Sequence, residues 1–248
     1  MKKLNRIFKI ICWSVLTTSL ILLLAFFAFQ KKSTKELSAS RVALIDVVGE
    51  NYIFRGNNPF VVKNGEKVFA YDELKSHFQN IVYQKNHKQL QDYYLIDISL
   101  LDLDEYYTIK KEKKFFADNS KSLGEVMNIS TISPNLLAGL LPNSGITKNI
   151  AARYSSELEK NLQKIRELAS QKKDKPVIIY IHCDGGRDRT GLIAAGYRML
   201  FSDMTLSQAK SQNILEVGRS SEALYDAAIN SYCLHVQKDL GKPDDYCN

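Results

Sequence analysis

The feature that most constrains the fold is an apolar run followed at once by a glycine-rich loop and a helical pattern. Residues 177–181 read VIIYI, a short β-branched run that is typical of a central strand covered on both faces. Gly185 and Gly186 permit a tight turn after it, and residues 190–201 have the pattern of a helix. Further strands alternate with helical patterns along the chain, so we predict an α/β sheet domain.

The loop itself has the chemistry of an anion site. It reads HCDGGRDRTG from His182 to Gly191. The strand delivers Cys183 to the carboxyl edge of the sheet, where α/β proteins bind ligands. Loop amides and the N-terminus of the helix that begins near Thr190 form a cradle for phosphate. We expect this field to lower the pKa of Cys183, so that it is a thiolate nucleophile, while Arg189 binds two phosphate oxygens with its planar fork.

This segment resembles the active-site loop of the cysteine-based protein tyrosine phosphatase superfamily. The signature there is His-Cys, five residues and Arg-Ser/Thr, and here the five are Asp184 to Asp188. Residues 52–59 are similar to a Tyr-Arg-Ser-x-x-Pro stretch of dual-specificity-like members, and residues 95–98 resemble the Ile-x-Asp-Leu strand that follows it. We interpret Arg55 and Asp97 as structural residues of an ion pair or turn.

The resemblance implies a two-step hydrolysis of a phosphomonoester. Cys183 attacks phosphorus to form a phosphocysteine, which water then hydrolyses, and Arg189 with the loop amides stabilises the equatorial oxygens. The Thr190 hydroxyl stabilises the thiolate, and His182 holds the loop and tunes Cys183. No metal or organic cofactor is implied. The residues expected to bind the substrate phosphate are Asp184, Gly185, Gly186, Arg187, Asp188 and Arg189.

The proton donor departs from the family pattern. Most members carry a general-acid Asp between the preceding strand and the long helix, yet the stretch from Ser130 to Thr147 contains no Asp or Glu. We therefore predict that Asp188, directly before Arg189, is the acid. The alternative is that Asp188 only orients Arg187 or backbone amides.

The sequence leaves the substrate class open. Phosphotyrosine in proteins, as in dual-specificity-type enzymes, is the main prediction, and a phosphoinositide is the alternative. Arg187 adds a second positive charge to the loop, as extra cations do in phosphoinositide phosphatases, although Asp184 and Asp188 offset it. A sulfur transferase of the rhodanese type would lack the Arg-Thr-Gly continuation. A phosphate-binding pseudophosphatase is a further alternative, against which the presence of both Cys183 and Arg189 argues.

The basic composition belongs to one end of the chain. The formal net charge is +7, and residues 1–35 carry seven Lys and Arg and no acidic residue. Removing these seven from the 34 Lys and Arg leaves 27, against 27 Asp and Glu. The rest of the chain is formally neutral, which removes the electrostatic argument for a nucleic-acid partner.

An uncharged run rich in Leu, Ile and Phe covers residues 10–29. A helix of about 20 residues spans a bilayer core of about 30 Å, so we predict an N-terminal transmembrane helix, with a cleaved signal peptide as the alternative. The charges on the two sides slightly favour a single-pass protein whose large domain lies on the non-cytoplasmic side.

The predicted organisation follows from these segments. We expect a membrane anchor or signal segment at residues 1–30, a polar tether at 31–41 and one phosphatase domain at 42–248, with a central, mostly parallel sheet flanked by helices. Cys233 and Cys247 form a disulfide in an oxidising compartment or stay as free thiols in a reducing one. No two cysteine pairs have the spacing of zinc ligands.

Overall fold

The computed structural model describes residues 12–21, 35–119, 122–129 and 146–248. Residues 12–21 belong to helix α1. The other residues of the 10–29 run lie outside the described residues. No helix in the described part of the chain is both long and apolar enough to cross a membrane. This finding contradicts the predicted transmembrane helix and the single-pass localisation, and the predicted membrane contact through residues 10–29 is not supported.

A five-stranded sheet forms the centre of the domain. Its strands are β1 (Ala43–Val48), β2 (Asn51–Asn57), β5 (Tyr94–Ser99), β6 (Gly124–Asn128) and β7 (Val177–Cys183). They lie in the order β1-β2-β7-β5-β6, with β1 antiparallel at one edge and the other four parallel. The predicted central, mostly parallel sheet is confirmed. A separate hairpin consists of β3 (Phe60–Lys63) and β4 (Glu66–Phe69).

Helices cover both faces of this sheet. They are α2 (Tyr71–Asn86), α3 (Tyr106–Asp118), α4 (Ile146–Ala169), α5 (Asp188–Phe201), α6 (Leu206–Val217) and α7 (Ala223–Asp239). Phe78 of α2 and Phe116 of α3 belong to one apolar core, whereas Leu162 of α4, Leu192 of α5 and Ile229 of α7 belong to the other.

The central strand β7 divides its side chains between the two cores. All seven of its residues are buried, and successive side chains in a strand point to opposite faces. Tyr180 packs in the core of α2 and α3, whereas Ile181 and Cys183 pack in the core of α4, α5 and α7. Because Asn57 of β2 pairs with Cys183 and Ser99 of β5 pairs with His182, the residues that follow β2 and β5 flank the end of β7.

The described part of the predicted tether is bound to the domain. The backbone N–H of Leu37 donates to the carbonyl of Phe60 at 2.7 Å. The Asn57 side chain accepts from the Ser38 amide at 2.9 Å and donates to the Glu36 carbonyl at 2.7 Å. Residues 35–41 therefore lie against the end of β2, beside the strand that carries Cys183.

The C-terminal tail is fastened in two ways. Of the two states that the sequence left open, the structure has the disulfide, which joins Cys233 of α7 to Cys247. The buried Tyr246 donates its hydroxyl towards the carbonyls of Met199 and Met204, at 2.9 and 2.6 Å. The tail thus closes the core on the side of the sheet that Cys183 faces.

Candidate active site

The loop after β7 folds back over the Cys183 sulfur. Gly186 has a φ of +64°, and a Cβ there would lie 2.5 Å from the carbonyl oxygen of Gly56, so only glycine fits. The Gly186 amide donates to Cys183 Sγ at 3.2 Å. The loop ends where α5 begins, so the helix N-terminus also points into the site.

Three successive carbonyls of the loop are bound from outside. The Asp184 carbonyl accepts from the Asn58 amide at 3.4 Å, the Gly185 carbonyl from Arg41 at 2.9 Å, and the Gly186 carbonyl from the buried Arg55 at 2.9 Å. Outward carbonyls leave the intervening N–H groups free to converge on the concave side, which is the geometry of an anion-binding nest.

Cys183 lies at the bottom of this loop and is 3% exposed. Burial alone would raise the pKa of its thiol. The charge of Arg189 and hydrogen bonds from the Thr190 hydroxyl, the Thr190 amide and the Gly186 amide together outweigh that effect and hold the pKa below its ordinary value. The arrangement therefore favours the thiolate.

Arg189 is held by acidic residues from the loop after β5. Its guanidinium binds Glu105 through two hydrogen bonds, of 2.5 and 3.1 Å, and Nη1 also lies 3.2 Å from Asp102 Oδ2. Nη1 donates to the Leu100 carbonyl at 2.9 Å as well. Burial would lower the pKa of Arg189, but Glu105, Cys183 and Asp102 raise it, so the fork stays charged and fixed.

Sequence reasoning missed Asp102 and Glu105. Their only signal is that acidic residues directly follow β5, the strand beside β7. Charged residues after strands are common on solvated loops, so the signal identifies a candidate only once the strand order is known.

Arg55 supports the loop from below, in an ion pair. Its Nη1 lies 2.9 Å from Glu216 Oε2, and Arg198 lies 2.5 Å from the other oxygen of the same carboxylate. Both arginines also contact the Asn213 side chain. The structural interpretation of Arg55 is confirmed, since the network joins β2, α5 and α6 beneath Gly186.

His182 faces the opposite side of the sheet from Cys183. Its Nε2 lies 3.0 Å from Asp97 Oδ1 and 3.6 Å from Glu112 Oε1, and all three side chains are fully buried. Tyr180 stacks on the imidazole. Burial lowers the pKa of His182, but Asp97 and Glu112 overcome it and raise the pKa to about 9. Burial raises the pKa of Glu112 to about 8, against the opposing effect of His182.

Asp188 points towards α7. One carboxylate oxygen accepts from Arg219 at 2.8 Å, and the other accepts from the Glu222 amide at the start of α7, at 2.9 Å. Both oxygens of the predicted acid are therefore engaged in joining the loop to α7. The stretch from Ser130 to Thr147, where the family carries its acid, lies outside the described residues up to residue 145.

Cations gather beside the loop. Arg187 has no hydrogen-bond or ion-pair partner within the ranges that the structure describes. Burial and then the repulsion of Arg187 lower the pKa of Arg41, while Cys183 raises it, so the two arginines and the sulfur share one electric field. Lys35 lies 2.9 Å from Asp184. We call Arg41 and Arg187 the mouth arginines.

The structure thus divides the predicted site residues into two sets. Cys183, Arg189 and Thr190 come together around the sulfur, whereas His182 and Asp188 point away from it. Among the described residues, three groups of side chains have the types of metal ligands within reach of one another, and the third group, Glu159, His235 and Asp239, lies away from the loop on α4 and α7. The other two groups already have a cation, which is protonated His182 in one and the neighbouring Arg189 for the other. We assign no metal to them. They are Asp97, Glu112 and His182, and Asp102, Asp104 and Glu105.

Solved structures give distant similarities. A mutant form of Tk-PTP has 14% identity and a TM-score of 0.48, with 81% of this chain and 99% of that chain covered. PTPMT1 in complex with PI(5)P has 14% identity and a TM-score of 0.46, with the same coverage. A PTP-like phytase from Bdellovibrio bacteriovorus has 10% identity and a TM-score of 0.37, with 86% and 92% covered. At these scores we draw nothing further from them.

Sequence comparison is more decisive. No curated protein matches the chain, but the model of the tyrosine phosphatase family matches residues 99–201, which run from the end of β5 to the end of α5 and include the whole loop around Cys183. The part of the chain that carries the thiolate, the outward carbonyls and the fixed Arg189 is therefore similar to the tyrosine phosphatase family.

Proposed function

We propose that the protein hydrolyses phosphomonoesters through a phosphocysteine formed on Cys183. The observation that carries this proposal is the sulfur with a lowered pKa beneath a nest of inward amides, beside a fixed arginine. A phosphate seated in the nest presents its phosphorus to the thiolate. In both steps the equatorial oxygens carry the charge that the amides and Arg189 stabilise.

The supporting residues act at different moments. The Thr190 hydroxyl lowers the pKa of Cys183, and in this proposal it stabilises the sulfur as the leaving group when water attacks the phosphocysteine. His182 positions the strand end that carries Cys183, because its side chain is fixed by Asp97 and Glu112. Gly185 and Gly186 keep the loop tight enough for its amides to reach phosphate oxygens. The catalytic domain that we propose spans residues 42–248.

Phosphotyrosine in proteins is the proposed substrate, and a phosphoinositide is the second candidate. The mouth arginines favour the second candidate, since Arg187 has no partner among the described residues and Arg41 is repelled by it. A second phosphate group on the substrate would relieve that repulsion. A phosphotyrosine side chain carries one phosphate, which the loop around Cys183 would bind, and has no second phosphate for the mouth arginines.

A phosphate-release panel on the full chain tests these proposals. It compares a phosphotyrosine peptide, a phosphoserine peptide and short-chain phosphoinositides, with Cys183→Ser as the control. We expect release by the wild type and none by Cys183→Ser. Saturable phosphopeptide binding without release from any substrate would instead support a pseudophosphatase.

The mouth arginines separate the two substrate classes. The double variant Arg41→Ala/Arg187→Ala should lower kcat/KM at least tenfold on a phosphoinositide with two or more phosphates if that class is the substrate. An equal, small effect on phosphoinositide and phosphotyrosine peptide would favour the protein substrate. Lys110→Ala, which removes an exposed charge on α3, is the matched control.

A further inference from the structure

Asp102 occupies the position that a proton donor needs. It follows β5, the strand beside β7, so it lies at the same carboxyl edge of the sheet as Cys183. Its Oδ2 lies 3.2 Å from Nη1 of Arg189, the arginine whose charge lowers the pKa of Cys183. A phosphate held by that guanidinium would bring its ester oxygen within the neighbourhood of the Asp102 carboxyl group.

The positive charge of Arg189 is already balanced by Glu105, so the negative charge of Asp102 is not needed to balance it. Glu105 alone supplies two hydrogen bonds to the guanidinium, and its side chain is 3% exposed. Asp102 adds one longer contact, and its side chain is 20% exposed. Arg189 carries one positive charge, which one carboxylate balances, and it must also bind a dianionic phosphate. The second carboxylate is therefore in excess. The more exposed of the two is the one that a substrate can reach.

The surroundings of Asp102 favour its protonated form. Burial raises the pKa of Asp102 to about 6, helped by Glu105 and Asp104 from its own loop and opposed by Arg189 from α5. A bound phosphate dianion adds a further negative charge and raises the pKa again. An acid whose pKa lies near the working pH is the effective kind of proton donor.

We propose that Asp102 is the general acid that protonates the leaving oxygen of the substrate. This inference rests on the proposed function and names the donor for the same site. Asp188 remains the sequence-based prediction for that role, but both of its oxygens are bound to Arg219 and to the start of α7. The contacts of Asp188 are those of a residue that positions the loop.

In this proposal, Asp102 gives up a proton in the first step of the reaction and regains one in the second. In the first, the Cys183 thiolate forms the S–P bond, the P–O bond to the leaving group breaks, and the leaving oxygen takes the proton of Asp102. In the second, the Asp102 carboxylate takes a proton from water as the water oxygen attacks phosphorus. The S–P bond then breaks, which restores the thiolate and the protonated Asp102 and releases inorganic phosphate.

The dependence on the leaving group tests this assignment. Asp102→Asn is compared with wild type on phenyl phosphate, a poor leaving group, and on p-nitrophenyl phosphate, a good one that needs little protonation. We expect kcat/KM, which reports only the steps up to departure of the leaving group, to fall roughly 100-fold or more on phenyl phosphate and less than about tenfold on p-nitrophenyl phosphate. Retained activity on the second substrate also shows that the variant is folded.

Two matched variants and a pH profile complete the test. Asp118→Asn, at the exposed C-terminal end of α3, should leave the ratio of kcat/KM on the two substrates unchanged, as should Asp188→Asn. The fall of wild-type kcat/KM on phenyl phosphate above a pH of about 6, which reports Asp102 in the free enzyme, should disappear in Asp102→Asn, while competitive inhibition by inorganic phosphate should not weaken.

Three results would overturn the proposal. An equal loss of kcat/KM on both substrates in Asp102→Asn would show that Asp102 is a positioning residue for Arg189. A selective loss on phenyl phosphate in Asp188→Asn would assign the proton to Asp188 instead. If wild type releases phosphate from neither substrate, the proposed function fails as well, whereas the first two results leave it standing.

Discussion

At the scale of single residues, the site depends on Arg189, whose positive charge acts both on its acidic partners and on the Cys183 sulfur. Its guanidinium is bound by Glu105 and Asp102, yet it is still the largest contribution that lowers the pKa of Cys183. A bidentate carboxylate fixes the plane of the fork, which a lysine in its place would not allow. The thiolate therefore depends on an arginine whose position is set by residues about 85 positions earlier in the chain.

The pKa of Cys183 tests this dependence. Replacing Arg189 with Ala removes a positive charge from a buried sulfur, so the thiol pKa should rise. The rate of alkylation by iodoacetamide against pH measures it, and kcat/KM should fall roughly 10²- to 10³-fold. Arg187→Ala, which removes the neighbouring arginine of the loop, is the control, and we expect it to shift the pKa of the Cys183 thiol less. An alkylation profile that stays the same in Arg189→Ala would contradict the electrostatic account.

At the scale of elements, a buried ionic cluster joins β5, β7 and α3. Asp97, His182 and Glu112 come from these three elements and have no exposed surface. Folding raises the pKa of His182 from about 6.5 to about 9 and that of Glu112 from about 4.5 to about 8. Both groups hold their protons more tightly in the folded protein than in the unfolded chain.

Stability should therefore fall as the pH rises. The contribution of His182 is fully present below a pH of about 6.5 and is lost towards 9, and that of Glu112 is lost as the pH rises through about 8. Urea unfolding at pH 6, 7, 8 and 9 should show a decrease of roughly 1–3 kcal/mol. Glu112→Gln, which does not titrate, should make the decrease shallower. A pH dependence as steep as that of wild type in this variant would contradict the interpretation.

At the scale of the whole molecule, segments that are distant along the chain support the loop around Cys183 and the core behind it. Arg41 reaches it from the N-terminal segment, and the disulfide of α7 closes the core behind it. The disulfide links residues 14 positions apart. A loop of about 15 residues gives a stabilisation on the order of 3 kcal/mol in the chain-entropy account.

Removing the disulfide should cost stability rather than chemistry. We expect Cys233→Ala/Cys247→Ala to lower the free energy of unfolding by roughly 2–4 kcal/mol, since the tail that carries Tyr246 loses its covalent link. The kcat of the folded protein should stay within about twofold, because neither sulfur touches the loop around Cys183. Denaturant unfolding and kcat under native conditions measure the two effects. Unchanged stability would contradict this role of the tail.

The sequence specifies the central strand, the loop and the sheet class because all of their signals are local. The apolar run, the two glycines and Arg189 lie within a few residues of Cys183, and the β7-to-α5 connection follows from them. The contacts of Asp102, Asp97 and Arg41 were not predictable, because each joins elements that are distant along the chain. The transmembrane helix was predicted from the length of the apolar run alone, whereas no helix in the described part of the chain is both long and apolar enough to cross a membrane.

The central claim is that the phosphoryl group passes through Cys183. The most direct test is to mix the full chain with a phosphotyrosine peptide labelled with ³²P, quench within one turnover and map the label by mass spectrometry of the digested protein. We predict one phosphate on Cys183, lost within later turnovers, and none in Cys183→Ser. Label on another residue, or phosphate release by Cys183→Ser at the wild-type rate, would contradict the account.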